Sequence, residues 1–274
     1  MKIGNREFDL KNETYIMGIL NVTPDSFYDG GRYDTPDAAL VRAEKMIAQG
    51  VDIIDIGGMS TKPDHDEISC GEELDRVIPV VRAVRRSFDI PISIDTYRWQ
   101  IAEAALDAGA DMVNDVWGAL HGDGKMAETL SRYNVPCCLM HNSEVMARSV
   151  GDVLAGLRNS INHACSCGVG KSNIIIDPGI GFAKSPKTCL RVVADIASLE
   201  ELERPILLGV SRKSLIGHTL SLPPEERLEG ALAIAAYAFL STHVAFLRVH
   251  DVKEHVRVRD MLKAIVNERE RVEI

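Results

Sequence analysis

The sequence predicts an α/β protein whose 274 residues form a single (β/α)8 TIM barrel with a short extension before the first strand. Short apolar runs alternate with longer stretches of helical periodicity, which is the pattern of βα units on a parallel sheet. Eight such runs can be placed, and their similar lengths favour a closed barrel. The hydrophobic fraction of 46% is enough for one continuous core, and no linker or low-complexity tract divides residues 1–274.

Each predicted strand ends where an apolar run meets a polar residue or a glycine. The strands cover residues 15–20, 51–56, 90–94, 112–113, 135–140, 174–176, 206–210 and 244–247. Helical periodicity predicts helices over residues 35–49, 71–88, 99–108 and 223–241. Residues 1–12 are expected to form a hairpin that closes the floor of the barrel. An open doubly wound sheet is the alternative, but no Gly-x-Gly-x-x-Gly motif follows the first strand.

The composition argues against several classes of partner. A net charge of −9 and a sequence pI of about 5.4 disfavour nucleic acid, which requires clustered positive charge. The longest apolar run, residues 231–240, is about half the length of the roughly 20 residues that a membrane helix needs, so we interpret it as a buried helix or a subunit contact. The six cysteines form no Cys-x-x-Cys pair and the N-terminus is not apolar, so a cytoplasmic protein is expected.

Six polar residues follow five of the predicted strands and should converge, because the loops after the strands form the active face of a TIM barrel. They are Asp95, Asn114, Asp177, Lys213, Arg248 and His250. A cap or a turn would explain any one of them equally well, but six at equivalent positions indicate a functional site.

The residue types in this set indicate two kinds of ligand group. Carboxylates and an amide at the mouth of an apolar barrel suit a neutral heterocycle with several N–H donors. A second set of side chains suits a phosphate or pyrophosphate, namely Lys62, Arg212, Lys213, Arg248 and His250.

A metal site can be proposed only in the loop after the first strand. Asn21, Asp25 and Asp29 are oxygen donors that suit Mg²⁺ held jointly with substrate phosphates. An Asx-rich turn explains the same segment equally well. The histidines lack the spacing of zinc ligands, and we interpret the adjacent Cys137 and Cys138 as core residues rather than a redox pair.

Eight motifs, in order and each at a strand end, carry a resemblance to a known family. They are Met17-Gly-Ile-Leu-Asn-Val-Thr-Pro-Asp-Ser-Phe, Asp55-Ile-Gly-Gly-Met-Ser-Thr-Lys-Pro, Ile94-Asp-Thr, Asn114-Asp115, Met140-His141, Asp177-Pro-Gly-Ile-Gly-Phe, Ser211-Arg-Lys-Ser and Arg248-Val-His-Asp. From about Ile16 to the end of the eighth barrel unit, the sequence resembles the dihydropteroate synthases, the folate-pathway enzymes targeted by sulfonamides.

The resemblance implies a pterin slot. Asp177 and Asn114 would hold the pyrimidine edge of the ring, with Asp95 near its other side. Lys213 would donate to the N5 and O4 side. The walls of the slot would be formed by Val116, Met140, Phe182 and Gly209.

The same resemblance implies a pyrophosphate site with Mg²⁺ and a second substrate site. Asn21 and Asp29 would act with Mg²⁺, Asn21 as a metal ligand, while Arg248 and His250 hold the pyrophosphate. The p-aminobenzoate site would be completed on closing loops by Phe27, Thr61, Lys62, Pro63 and Ser214. The implied transferase reaction is dissociative, because pyrophosphate leaves before p-aminobenzoate attacks a methylene cation, which Asp95 stabilises. A homodimer is expected, since family members are usually dimers.

Two departures from the family pattern leave alternatives open. Lys62 stands where Arg is usual and Met59 where Glu is common, and an ammonium cannot reproduce the guanidinium fork in the p-aminobenzoate site. A catalytically silent homologue that binds the pterin pyrophosphate is therefore one alternative. A pterin-dependent methyltransferase barrel is another, but methyl transfer has no pyrophosphate to occupy the cations of Ser211-Arg-Lys-Ser and Arg248-Val-His.

Overall fold

The computed structural model describes residues 1–22, 35–59 and 68–272, and these contain a closed barrel of eight parallel strands. The barrel strands are β3 (Tyr15–Asn21), β4 (Ile53–Gly57), β5 (Ile92–Asp95), β6 (Met112–Asp115), β7 (Cys137–Met140), β8 (Ile174–Asp177), β9 (Ile206–Gly209) and β10 (Val244–Val249). They are hydrogen-bonded in chain order, and β10 pairs with both β9 and β3 to close the ring. The predicted (β/α)8 fold is confirmed, and all eight predicted strands are present.

Helices follow the barrel strands along the chain. They are α1 (Thr35–Ala48), α2 (Cys70–Ser87), α3 (Trp99–Ala108), α4 (Lys125–Tyr133), α5 (Val150–Ser166), α6 (Pro186–Ala194), α7 (Ser214–Leu220), α8 (Leu228–Ser241) and α9 (Val252–Val272). Serine hydroxyls cap the first turns of three of them, at Ser69, Ser149 and Ser185. Within the described ranges, no helix is long and apolar enough to cross a membrane.

The predicted start of the helix over residues 223–241 is wrong by five positions. Pro224–Glu226 form a short 3-10 helix, and α8 begins only at Leu228. Two adjacent prolines explain the delay, since Pro223 precedes another proline and is held at ψ 163°, outside the helical region.

The N-terminal hairpin closes one end of the barrel, as predicted. Strands β1 (Lys2–Ile3) and β2 (Arg6–Glu7) pair antiparallel and bring Ile3 and Phe8 beneath the barrel. Phe8 packs edge-on against Tyr15, with 4.7 Å between the ring centroids. The two hairpin residues join a buried layer made by Met17, Ile53, Met112, Cys138, Ile175, Leu207, Ala245 and Phe246. This layer is the apolar floor of the barrel.

On several strands, the residue two positions after the floor residue has a polar side chain. Because alternate residues of a strand face the same side, the residues two positions after the floor also point into the barrel. On four strands these positions hold Asp55, Asn114, Asp177 and Arg248. The barrel therefore has an apolar floor and a polar layer above it, at the carboxyl ends of the strands.

Candidate active site

Arg248 is the central cation of the polar layer. Its Nε donates to Oδ2 of Asp55 at 2.6 Å, and its Nη2 donates to Oδ2 of Asp95. Asn114 lies beside Asp95 in the strand register and donates from Nδ2 to the same oxygen of Asp55, at 3.2 Å. The structure thus brings together three of the predicted site residues around one buried carboxylate.

The carboxylates of Asp55 and Asp95 are buried, and Arg248 lies between them as their shared counterion. Burial raises the pKa of Asp95, while the Arg248 guanidinium acts in the opposite direction. Burial would lower the pKa of Arg248, but the attraction of Asp95 and Asp55 outweighs it and raises that pKa. Arg248 is therefore a permanent cation between two carboxylates.

Asp55 is a member of the site to which the sequence reasoning gave no role. It is fully buried in β4 and accepts from both Arg248 and Asn114. The sequence shows only that an aspartate interrupts the apolar run of residues 51–56, and its inward direction follows from the register of β4.

Asp177 and Lys213 lie across Gly209. Oδ1 of Asp177 accepts from the backbone N–H of Gly179 at 2.7 Å, and its Oδ2 receives no hydrogen bond from any residue that the structure describes. A Cβ built on Gly209 would lie 3.8 Å from that oxygen and 3.9 Å from Nζ of Lys213. Nζ of Lys213 also lies 4.6 Å from the centre of the Phe182 ring. These four predicted site residues therefore form one continuous surface.

The ionisation of these two groups follows from their burial. Burial raises the pKa of Asp177, although the Gly179 hydrogen bond and the charge of Lys213 act against it. Burial lowers the pKa of Lys213 to about 8, against the attraction of Asp177. Lys213 is therefore mainly protonated near pH 7 and can act as a cationic donor.

The surroundings of His250, which was predicted to help hold an anion, favour a neutral imidazole. Burial, together with repulsion from Arg248 and Arg212, lowers the pKa of His250 to about 3. Its backbone N–H donates to Oγ of Ser211 at 3.2 Å, and Nδ1 lies 3.0 Å from the same oxygen. The Ser211 hydroxyl is then placed to donate to Nδ1, which leaves Nε2 as the protonated nitrogen. His250 can therefore offer its Nε2 N–H to a phosphate.

The polar layer contains acceptors whose partners are not among the described residues. Oδ1 of Asp55, Oδ1 of Asp95 and Oγ of Ser93 are buried there without a hydrogen-bond partner in the described part of the chain. Asp55 and Ser93 are paired across β4 and β5, so these atoms lie on one side of the barrel. Buried acceptors of this kind favour a ligand that brings its own N–H donors.

The remaining predicted site residues divide into two groups. Val116 and Met140 are buried at the ends of β6 and β7, and Ser214 is exposed at the first residue of α7. Asn21 ends β3 and pairs with Gly57, which pairs in turn with Asp95. The others lie outside the described residues, namely Asp25, Phe27, Asp29, Thr61, Lys62 and Pro63.

Metal and redox sites are not formed by the described side chains. Across residues 1–22, 35–59 and 68–272, no cluster of three or more His, Cys, Asp or Glu side chains could hold a metal ion. Cys137 and Cys138 are buried in β7 and free, which confirms their prediction as core residues, and the other four cysteines are also free.

A cleft of about 730 Å³ lies at the opposite end of the barrel, beside the hairpin. Two arginines line it, and both are already paired, Arg6 with Asp52 at 2.6 Å and Arg85 with Asp111. Because both arginines are already paired with carboxylates, neither provides this cleft with a free cation for an anionic ligand.

Comparison with known proteins identifies the family. The model of a family described as pterin binding enzyme matches residues 17–250. A dihydropteroate synthase of Clostridium beijerinckii is 47% identical over 268 residues, which cover 97% of this chain and 99% of the relative. The chain belongs to the dihydropteroate synthase family. The resemblance drawn from the eight motifs is thereby confirmed.

Solved dihydropteroate synthase structures share this fold. One from Clostridium difficile, determined in the presence of pteroic acid, has a TM-score of 0.90 and 45% identity, with 94% of this chain and 99% of that chain covered. Another from Xanthomonas albilineans, determined with 4-aminobenzoic acid, has a TM-score of 0.88 and 36% identity, with 93% of each chain covered.

Proposed function

We propose that this chain catalyses the dihydropteroate synthase reaction, in which 6-hydroxymethyl-7,8-dihydropterin pyrophosphate and p-aminobenzoate give 7,8-dihydropteroate and pyrophosphate. The observation that carries the proposal is the polar layer, where Arg248 is held between two buried carboxylates above a closed apolar floor. Family membership supplies the substrates.

The pterin ring is proposed to lie on the surface that joins Asp177, Gly209 and Lys213. Oδ2 of Asp177 is available to accept from the ring nitrogens, since Gly179 already holds Oδ1. Lys213 lies at the other edge of Gly209, where its ammonium can donate to an oxygen or nitrogen of the same ring. Asn114 is oriented by its hydrogen bond to Asp55 and completes the recognition of the pyrimidine edge.

The leaving pyrophosphate is proposed to lie beside Arg248 and Nε2 of His250. Asn21, with Asp29, would hold Mg²⁺, which when bound neutralises charge on the leaving group. The fit is reasonable because Asn21 supplies an amide oxygen, a hard donor, and the strand register places it level with Asp95.

Asp95 is proposed to stabilise the pterin methylene cation that remains after pyrophosphate departs. Its Oδ2 is engaged by Arg248, while Oδ1 has no partner in the described residues and so can face the developing charge. The weakly basic nitrogen of p-aminobenzoate then attacks the cation and loses a proton, so no strong general base is required. The p-aminobenzoate residues remain as predicted from the motifs, with Ser214 next to Lys213.

A catalytically silent pterin-binding homologue is the second candidate, because Lys62 replaces the usual Arg in the p-aminobenzoate site. Incubation of the purified protein with Mg²⁺ and both substrates separates the two. We expect dihydropteroate, and we expect chelation of the metal to stop its formation. Pterin binding without product at high p-aminobenzoate would support the silent homologue instead.

Three further expectations belong to this proposal. We propose that residues 1–274 are one domain, that the chain is a homodimer and that it is cytoplasmic. Tyr237 and Leu240 on α8 are 46% and 63% exposed, which supports a contact through that helix. The free cysteines suit a reducing compartment. Sedimentation analysis would test the dimer.

A further inference from the structure

The turn before Lys213 has an unusual backbone. Arg212 has φ +57°, in the left-handed region that residues with a Cβ rarely occupy. This turn sends Arg212 outward to Asp251, with Nη2 3.0 Å from Oδ1, while the next side chain, Lys213, reaches back across Gly209 into the site. Such a conformation persists only where neighbouring groups hold it.

Arg227 holds this turn from outside the site. Its Nη1 donates to the backbone carbonyl of Arg212 at 3.1 Å, and its Nε donates to the carbonyl of Leu222, also at 3.1 Å. The carbonyl of Arg212 belongs to the peptide group that leads into Lys213. Because a peptide group is planar, fixing its oxygen also fixes the direction of the N–Cα bond of Lys213.

The fit between α7 and α8 places the Arg227 guanidinium. It lies against Gly217, where a Cβ would stand 2.5 Å from Cζ of Arg227. At the next contact, a Cβ on Gly230 of α8 would collide with the side chain of Ile216 in α7. Two glycines thus let the helices approach closely enough for Arg227 to reach the turn.

We infer that Arg227 is a positioning residue that aims the Lys213 ammonium at the pterin. The inference rests on the proposed function, since it assumes that Lys213 contacts the ligand. Arg227 itself does not touch the ligand surface: its two described acceptors are both backbone carbonyls of the loops that flank α7. Its effect must therefore pass through Lys213, and this separates a positioning role from general support of the fold.

A double-mutant cycle tests this separation. Affinity for dihydropterin pyrophosphate would be measured by calorimetry for the wild type, Arg227→Ala, Lys213→Met and the double variant. We expect each single variant to bind about tenfold more weakly, as for loss of one hydrogen bond to a charged group. We expect the double variant to bind no more weakly than Lys213→Met alone, because the two changes remove the same contact.

Arg204 provides a matched control. It also donates to two backbone carbonyls, those of Lys171 at 2.7 Å and Leu202 at 3.4 Å, but it lies before β9, at the end of the barrel opposite the site. Arg204→Ala should leave pterin affinity unchanged. If Arg227→Ala does not fold, Arg227→Lys and Gly217→Ala would take its place. A lysine lacks the rigid, planar fork by which the guanidinium reaches both carbonyls, and a Cβ at Gly217 would displace the guanidinium.

The outcomes distinguish the two claims. An unchanged affinity in Arg227→Ala, or the same fold-loss with and without Lys213, would overturn the positioning role while the proposed function stands. Failure of the wild-type protein to bind dihydropterin pyrophosphate would overturn the proposed function and this inference with it.

Discussion

Replacement of Asp177 by asparagine should weaken pterin binding while leaving the fold nearly as stable. In the structure Oδ1 accepts from the Gly179 N–H at 2.7 Å, and an asparagine oxygen can accept the same bond. The amide nitrogen would then take the place of Oδ2, the oxygen beside Gly209. Ring N–H groups that meet a carboxylate oxygen in the wild type would meet an N–H donor in the variant.

The magnitudes for binding and stability differ. Loss of a charged acceptor should cost about 1.5 to 3 kcal/mol in binding, a factor of roughly 10 to 150 in Kd. The free energy of unfolding should change by no more than about 1 kcal/mol, because relief of carboxylate burial offsets the lost attraction to Lys213. Since burial raises the pKa of Asp177, its ionisation opposes folding, and the variant should gain stability relative to the wild type as pH rises above about 4.

Calorimetric titration with a pterin and urea denaturation at several pH values measure the two effects. Asp115→Asn is a matched control, because this buried carboxylate spends both oxygens on the backbone N–H groups of Trp117 and Ala119. The control should lose stability and keep pterin affinity. Equal pterin affinity in Asp177→Asn and the wild type would refute the reasoning and make Asp177 a turn residue.

Three further perturbations have defined outcomes. Arg248→Met should lower the free energy of unfolding by about 3 to 5 kcal/mol in urea titrations, because Asp55 and Asp95 lose their cation. The loss should be smaller at acid pH, where Asp95 is protonated. A urea midpoint equal to that of the wild type would contradict this. Ala183 has φ +43°, so Ala183→Gly should raise the free energy of unfolding by up to about 1 kcal/mol, and a lower melting temperature would count against it. p-Aminobenzoate should give heat in calorimetry only when Mg²⁺ and pyrophosphate are present, and equal affinities without them would show a preformed site.

The barrel could be predicted from the sequence because its eight strands share one sequence pattern. Every apolar run ends before a polar residue or a glycine, so the period and the spacing both indicate βα units. The hairpin over residues 1–12 followed from its position before the first strand, and Ile3 and Phe8 do close the floor. The start of α8 did not follow, because helical periodicity continues through Pro223 while the backbone there remains extended.

Only part of the site could be predicted from the sequence, because the charge of a side chain depends on its burial. Strand ends located Asp95, Asn114 and Arg248, but not the inward position of Asp55, which requires the register of β4. His250 was expected among the cations, and its burial beside Arg248 and Arg212, which lowers its pKa, is visible only in the structure. The hydrogen bond from Arg227 to the turn before Lys213 joins residues 15 apart across α7, and no periodicity predicts it.

A crystal structure of the protein with a dihydropterin pyrophosphate bound tests the central claim most directly. The account predicts the ring above Gly209, with Oδ2 of Asp177 and the ammonium of Lys213 each within hydrogen-bonding distance of it and the pyrophosphate beside Arg248. A pterin bound elsewhere, or one that leaves Asp177 without a ligand contact, would contradict the account.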